Sequence, residues 1–243
     1  MAAAEKVNVL NIKIDNVTFQ ESVKRFKFSK FIVTPNIDHL YNLKKNLYFH
    51  RVYQKADLIL CDSKIISILS SYFFKSKLEQ IAGSDYFPAV CKYYYSDPDV
   101  RIFLLGGTTP LHAENAFRNL KSKYNAPVVG YYSPPFGFEK DDKHMAELIE
   151  MIEKSGANYI AVGLGSPKQE LLIDKLLQSS LSGCGFVAIG ATIDFESGLT
   201  KRSPKLLSKI GLEWFYRFVN EPRRLFRRYF INGPTIILDL VFS

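Results

Sequence analysis

The chain has 243 residues, 47% hydrophobic and 23% charged, long enough to bury a core without disulfide or metal staples. The composition excludes collagen, coiled coil and bulk disorder. No apolar run reaches the ~18–20 residues of a membrane span, and Met1 to Lys6 lacks the charged-then-apolar build of a secretory signal. Three scattered cysteines, Cys61, Cys91 and Cys184, form no C-x-x-C pair, which argues for a reduced cytosolic setting and against a zinc site. The net charge is +8, and residues 201–243 hold nine Lys and Arg against three Asp and Glu, a local +6. A nearly neutral body with a basic end points to a localised anionic partner: phosphate, nucleic acid or an acidic lipid surface.

In chain order, residues 7–15 alternate apolar and polar side chains, as an edge strand or hairpin does. Short apolar runs then recur at 31–33, 57–61, 102–105, 127–129, 159–162 and 186–189. Between them, helical spacing predicts helices over 37–54, 63–74, 84–94, 110–123, 140–154 and 168–179. Nearly continuous apolar strands alternating with helices predict an α/β fold, with a mostly parallel, Rossmann-like sheet covered on both faces. Residues 1–200 read as one α/β domain, and residues 201–243 as a basic, aromatic helical appendage.

Ligands of open α/β sheets bind beyond the carboxyl ends of the strands. Five predicted strand exits carry small or hydrogen-bonding residues: Thr34-Pro35-Asn36, Asp62-Ser63, Gly106-Gly107-Thr108-Thr109, Gly163 to Glu170, and Gly190 to Asp194. Gly106 and Gly107 open a helix as an anion cradle would, or form an ordinary turn with Thr109 as cap and Pro110 at the first helical position. Gly163-x-Gly165-Ser166-Pro167-Lys168-Gln169-Glu170 places Gln169 in a first helical turn, facing the cleft as a ligand reader. The alternative is a capping box of Ser166 and Gln169. Asp62 ends a hydrophobic strand and suits a general base, or caps the next helix; Asp194 carries the same two readings. Asp97-Pro98-Asp99 resembles a metal-binding D-x-D, but it precedes a strand, at the opposite edge of the sheet, and reads as a turn. The four histidines are dispersed, so no metal or other cofactor is expected.

The C-terminal stretch reads Leu212-Glu213-Trp214-x-Tyr216-Arg217-x-x-x-Glu221-Pro222-x-Arg224. Arg224, Arg227 and Arg228 share a helical face at i, i+3 and i+4, suited to bidentate phosphate contacts. The interleaved aromatics suit a helix lying in a membrane interface. Together with Gly163-x-Gly165-Ser166-Pro167-Lys168-Gln169-Glu170, Gly190-x-x-x-Asp194-x-x-x-Gly198 and Arg202-x-Pro204, these motifs make the chain resemble the WecG/TagA/CpsF glycosyltransferase family over about residues 7–228.

The resemblance implies metal-independent, inverting transfer of a sugar from a UDP donor to a polyprenyl-diphosphate-linked saccharide, at the cytoplasmic face of the membrane. It implies Asp62 as base beside Thr34 and Asn36, with Gln169 and Asp194 near the donor. It further implies Arg217, Arg224 and Arg227 as holders of the diphosphate. The chain has Cys61-Asp62-Ser63 where members commonly have Pro-Asp-Gly, which retains the carboxylate but alters the local turn. A nucleic-acid-binding module is the rival that the charge suggests, but the basic residues are concentrated rather than spread over a face. A nicotinamide enzyme lacks its third glycine and its acidic residue.

Overall fold

The protein is described by a computed structural model, which places residues 5–73, 76–202 and 232–242, together with Phe218, Val219, Phe226 and Phe230. The opening strands β1 (Lys6–Val9) and β2 (Ile12–Asp15) form an antiparallel hairpin, turned at Leu10 with φ +52°. The hairpin is tied to the main sheet by the buried Asp15 carboxylate, which accepts from the Ile59 amide at 2.8 Å.

The main sheet has six strands: β3 (Phe31–Val33), β4 (Leu58–Ile59), β5 (Ile102–Gly106), β6 (Val128–Tyr132), β7 (Tyr159–Gly163) and β8 (Gly185–Ala188). They lie in the order β4-β3-β8-β7-β5-β6, and every pairing is parallel. Parallel strands need covered crossovers, and here helices fill both faces. Strand side chains alternate between two cores, as a pleat requires. Ile102, Leu104, Ala161 and Val187 pack with α1 (Phe19–Arg25), α5 (Gly83–Tyr93), α6 (Pro110–Tyr124) and α9 (Thr192–Glu196). Phe103, Leu105, Ile160, Val162, Phe186 and Ala188 pack with α2 (Ile37–Lys45), α3 (Leu47–Tyr53), α4 (Lys64–Phe73), α7 (Asp142–Lys154) and α8 (Lys168–Leu176).

The α/β reading from sequence is therefore right in class and in sheet type, with two local differences. The single helix expected over 37–54 breaks at Asn46, whose side chain accepts from the Phe49 amide and restarts the chain as α3. The strand expected over 57–61 pairs only at Leu58 and Ile59.

Among the described residues no helix is long and apolar enough to cross a membrane. The C-terminal helix Gly233–Phe242 packs against α2 and α4 and buries Ile236 and Leu240 in the second core. Lys44 of α2 pairs with Asp239 at 2.7 Å. Residue 200 thus does not mark the end of the core, because the last helix of the expected appendage returns to it. A chain ending at Asn232 is expected to unfold at a lower temperature than the full chain. Losing two fully buried aliphatic side chains costs about 3–6 kcal/mol by area, and a thermal melt checks this.

Candidate functional site

The exits of β3, β4, β8, β7 and β5 line the carboxyl edge of the sheet. Asp62 lies three residues beyond β4, with its amide held by the Pro35 carbonyl at 3.1 Å and its carbonyl by Gln80 Nε2 at 3.1 Å. The half-buried carboxylate accepts from the Gly83 amide at 3.3 Å and faces Asn36 Nδ2 at 3.5 Å. Asn36 serves two elements at once, since its Oδ1 caps α2 by accepting from the Asp38 and His39 amides. The cap of α4 is Ser63, whose Oγ accepts from the Ile66 amide at 3.3 Å. Ser63 thus takes the cap of α4, and the Asp62 carboxylate instead holds the first amide of α5.

Thr34 is buried, and its hydroxyl donates to the Ala188 carbonyl at 3.4 Å, joining β3 to the end of β8. The neighbouring thiol of Cys61 is buried and pushed up to about 12 by that burial. It stays protonated beside the carboxylate and offers no nucleophile.

The glycines divide into two kinds. A Cβ on Gly106 (φ +135°) would lie 2.3 Å from the Gly163 carbonyl oxygen, and one on Gly163 would lie 2.8 Å from that of Gly190. Both positions are glycine because backbones touch there. The Gly107 amide donates to the Gly163 carbonyl, and the Thr108 amide donates to Asp194 Oδ1 at 2.7 Å. Two donors of the expected anion cradle are therefore spent inside the protein. Asp194 acts here as the clasp between α9 and the β5 exit. Gly165 (φ +75°) and Gly190 (φ +54°) instead face open space.

Gln169 is buried, 1% exposed, beneath the β8 exit: Oε1 accepts from the Gly190 amide at 3.0 Å and Nε2 donates to Glu170 Oε1 at 2.9 Å. The capping box is absent. Helix α8 starts at Lys168, after the cis Ser166–Pro167 peptide, and the buried Ser166 hydroxyl lies beside the Glu170 carboxyl. A helix with Gln at its second position presents that residue to whichever side is packed, and here that side is the core.

Sequence reasoning missed a buried polar group behind this edge. His39 Nδ1 and Tyr53 Oη lie 2.6 Å apart. Burial, then the charges of Glu170 and Asp62, hold the Tyr53 hydroxyl well above its ordinary range. Glu170 is fully buried, with the Gln169 amide and the Ser166 hydroxyl beside its carboxyl. These residues come from α2, α3 and α8, so no sequence spacing announces them.

The remaining candidates lie apart. Lys27 pairs with Asp97 and with Asp99, each at 3.0 Å, at the opposite edge of the sheet, which makes the D-x-D a turn. Among the described residues no three His, Cys, Asp or Glu side chains group as a metal would require. A depression of about 410 Å³ lies at the far end of α2, lined by residues including Leu10, Leu43 and Leu238, and holds none of the residues of the carboxyl edge. Arg217, Arg224 and Arg227 lie outside the described residues.

A family model, described as the glycosyl transferase WecG/TagA/CpsF family, matches residues 7–243. The chain belongs to that family. Members of the WecG/TagA/CpsF family are glycosyltransferases of cell-surface glycan synthesis, so sugar transfer is the chemistry of this chain.

Burial raises the Glu170 carboxyl from 4.5 to about 7. The folded chain keeps this proton up to about pH 7, whereas the unfolded chain releases it near 4.5. Stability therefore falls as pH rises through that window and levels off above it. Glu170→Gln is expected to remove this dependence. Its melting temperature relative to wild type should climb between pH 5 and pH 8, with a gain on the order of 3 kcal/mol at most.

Proposed function

We propose that the protein moves a sugar from a UDP-sugar to a polyprenyl-diphosphate-linked saccharide, with inversion at the anomeric carbon. Candidate donors are UDP-linked N-acetylmannosamine, its uronic acid, or a hexose or hexuronic acid. The observation that carries this reading is the placement of Asp62. It is a half-buried carboxylate at the cleft end of β4, supported by Asn36 and the Gly83 amide and relieved of capping α4 by Ser63. In the transfer an acceptor hydroxyl attacks the anomeric carbon while the carbon–oxygen bond to the diphosphate breaks. Asp62 takes the hydroxyl proton, and UDP leaves with the electron pair.

The departing diphosphate needs positive charge. That role falls to Arg217, Arg224 and Arg227, in the segment that carries most of the net charge. Transfer then proceeds without a metal ion. Thr34 and Gln169 act from below: Thr34 fixes the β3 exit to β8, and Gln169 fixes the Gly190 turn. Gly165 and Gly190, with open space beside them, give the donor room to approach the backbone. The basic, aromatic C-terminal segment holds the protein peripherally on the anionic inner face of the membrane, where a lipid-linked acceptor is presented.

Asp62→Asn keeps the shape of the side chain and removes its basicity. Turnover with the lipid-linked acceptor is expected to fall by ~10²–10⁴-fold while UDP-sugar affinity stays near wild type. Wild-type turnover in Asp62→Asn would defeat the assignment. Alanine at Arg217, Arg224 or Arg227 is expected to lower turnover by ~10²-fold, read in the same assay.

Attraction to an anionic surface is worth ~1 kcal/mol per nearby basic residue. Co-sedimentation should therefore show the full chain on anionic vesicles in preference to neutral ones, and released by high salt. Equal binding to both vesicles would remove the electrostatic part of the reading.

A further inference from the structure

The loop after β6 is the part of the carboxyl edge that the proposed transfer leaves without a task. It runs Ser133-Pro134-Pro135-Phe136-Gly137-Phe138, and it holds the Phe136 ring 94% exposed. A bare phenylalanine is unfavourable in water, and here the ring is presented by a loop fixed at several points. Ser133 Oγ donates to the Gly107 carbonyl at 2.9 Å, which draws the loop inward over the β5 exit. Two prolines restrict φ just before the ring, and Gly137 turns the chain back at φ +84°. Phe138 is buried beneath, and the Lys175 ammonium holds the Glu139 carbonyl at 2.8 Å. One face of Phe136 is covered by the Lys168 ammonium, 3.9 Å from the ring centroid. Lys168 opens α8, three residues beyond Gly165, which faces open space.

A flat ring beside an ammonium matches a ligand that joins an aromatic base to a phosphate. We propose that Phe136 is the stacking platform for the nucleobase of the donor, with Lys168 placing positive charge beside its diphosphate. This inference rests on the UDP-sugar reading above. Phe136 is held against the start of α8, just after β7, while Asp62 follows β4. The order β4-β3-β8-β7 puts three strand spacings between those columns, ~14 Å at ~4.8 Å each. The base end of an extended donor therefore lies at Phe136, and its sugar end points along the row of strand exits toward Asp62. The acceptor approaches from the β4 side and never meets this ring.

Isothermal titration of the full chain with UDP tests the proposal. Stacking on an aromatic side chain is lost on truncation, so Phe136→Ala is expected to weaken UDP binding roughly 10-fold. Phe136→Tyr should restore it to near wild type. The exposed position leaves the melting temperature of both variants unchanged. In turnover assays the donor KM rises in Phe136→Ala while kcat and the acceptor KM hold. Equal UDP affinity in wild type and Phe136→Ala, or a rise confined to the acceptor KM, overturns this inference alone. A wild-type chain that does not bind UDP overturns the donor reading and this inference with it.

Discussion

The carboxyl edge of the sheet depends on backbones touching. The β5, β7 and β8 exits approach so closely that a single methyl group on Gly106 would sit 2.3 Å from a carbonyl oxygen of the next strand exit. This contact sets the height at which the exits leave the sheet. It lets the Gly107 amide reach the Gly163 carbonyl, the Thr108 amide reach Asp194, and Gln169 reach the Gly190 amide. The result is a floor of satisfied backbone groups beneath a strip where Gly165 and Gly190 stand open. Rigid support under an open strip is what a transfer site needs, because a reacting group misplaced by an ångström loses much of its rate.

Asp62 stands at one end of that floor, on the short strand β4. Its carboxylate is held by groups from two other elements, the Asn36 amide at the start of α2 and the Gly83 amide at the start of α5. The position of the proposed base is thus fixed by helix starts on opposite faces of the sheet. Behind it, His39, Tyr53 and Glu170 keep a polar interior where an aliphatic one would be cheaper to bury. The charge of Asp62 reaches this interior, where with that of Glu170 it adds to burial in raising the Tyr53 hydroxyl.

Much of this was legible in the sequence, for physical reasons that differ from element to element. The apolar runs at 102–105 and 159–162 announced central strands because both of their faces are buried, which leaves no polar residue to interrupt them. Asp62 was legible because a carboxylate directly after such a run has to emerge at the ligand edge. The burial of Gln169 was not legible because a helix start fixes residue spacing but not which side of the helix the core will cover. The His39–Tyr53 contact was invisible, since it joins two helices separated by the Asn46 break, and helical periodicity treats both residues as ordinary buried positions. At Gly106 and Gly163 the sequence shows the glycines but not their packing reason, which is that strand ends meet there with no room for a side chain.

The seat of the C-terminal helix changes how the basic segment is to be understood. Arg202 pairs with Asp85 at 2.7 Å, and Asp85 follows Gly83, whose amide supports Asp62. At the other end, the helix Gly233–Phe242 rests on α2, the helix that Asn36 caps. Arg202 and the helix Gly233–Phe242 thus rest on the two helices whose first residues hold the carboxylate. A substitution that loosens either seat would therefore be felt at the carboxylate through a helix start, although neither Arg202 nor the last helix touches it.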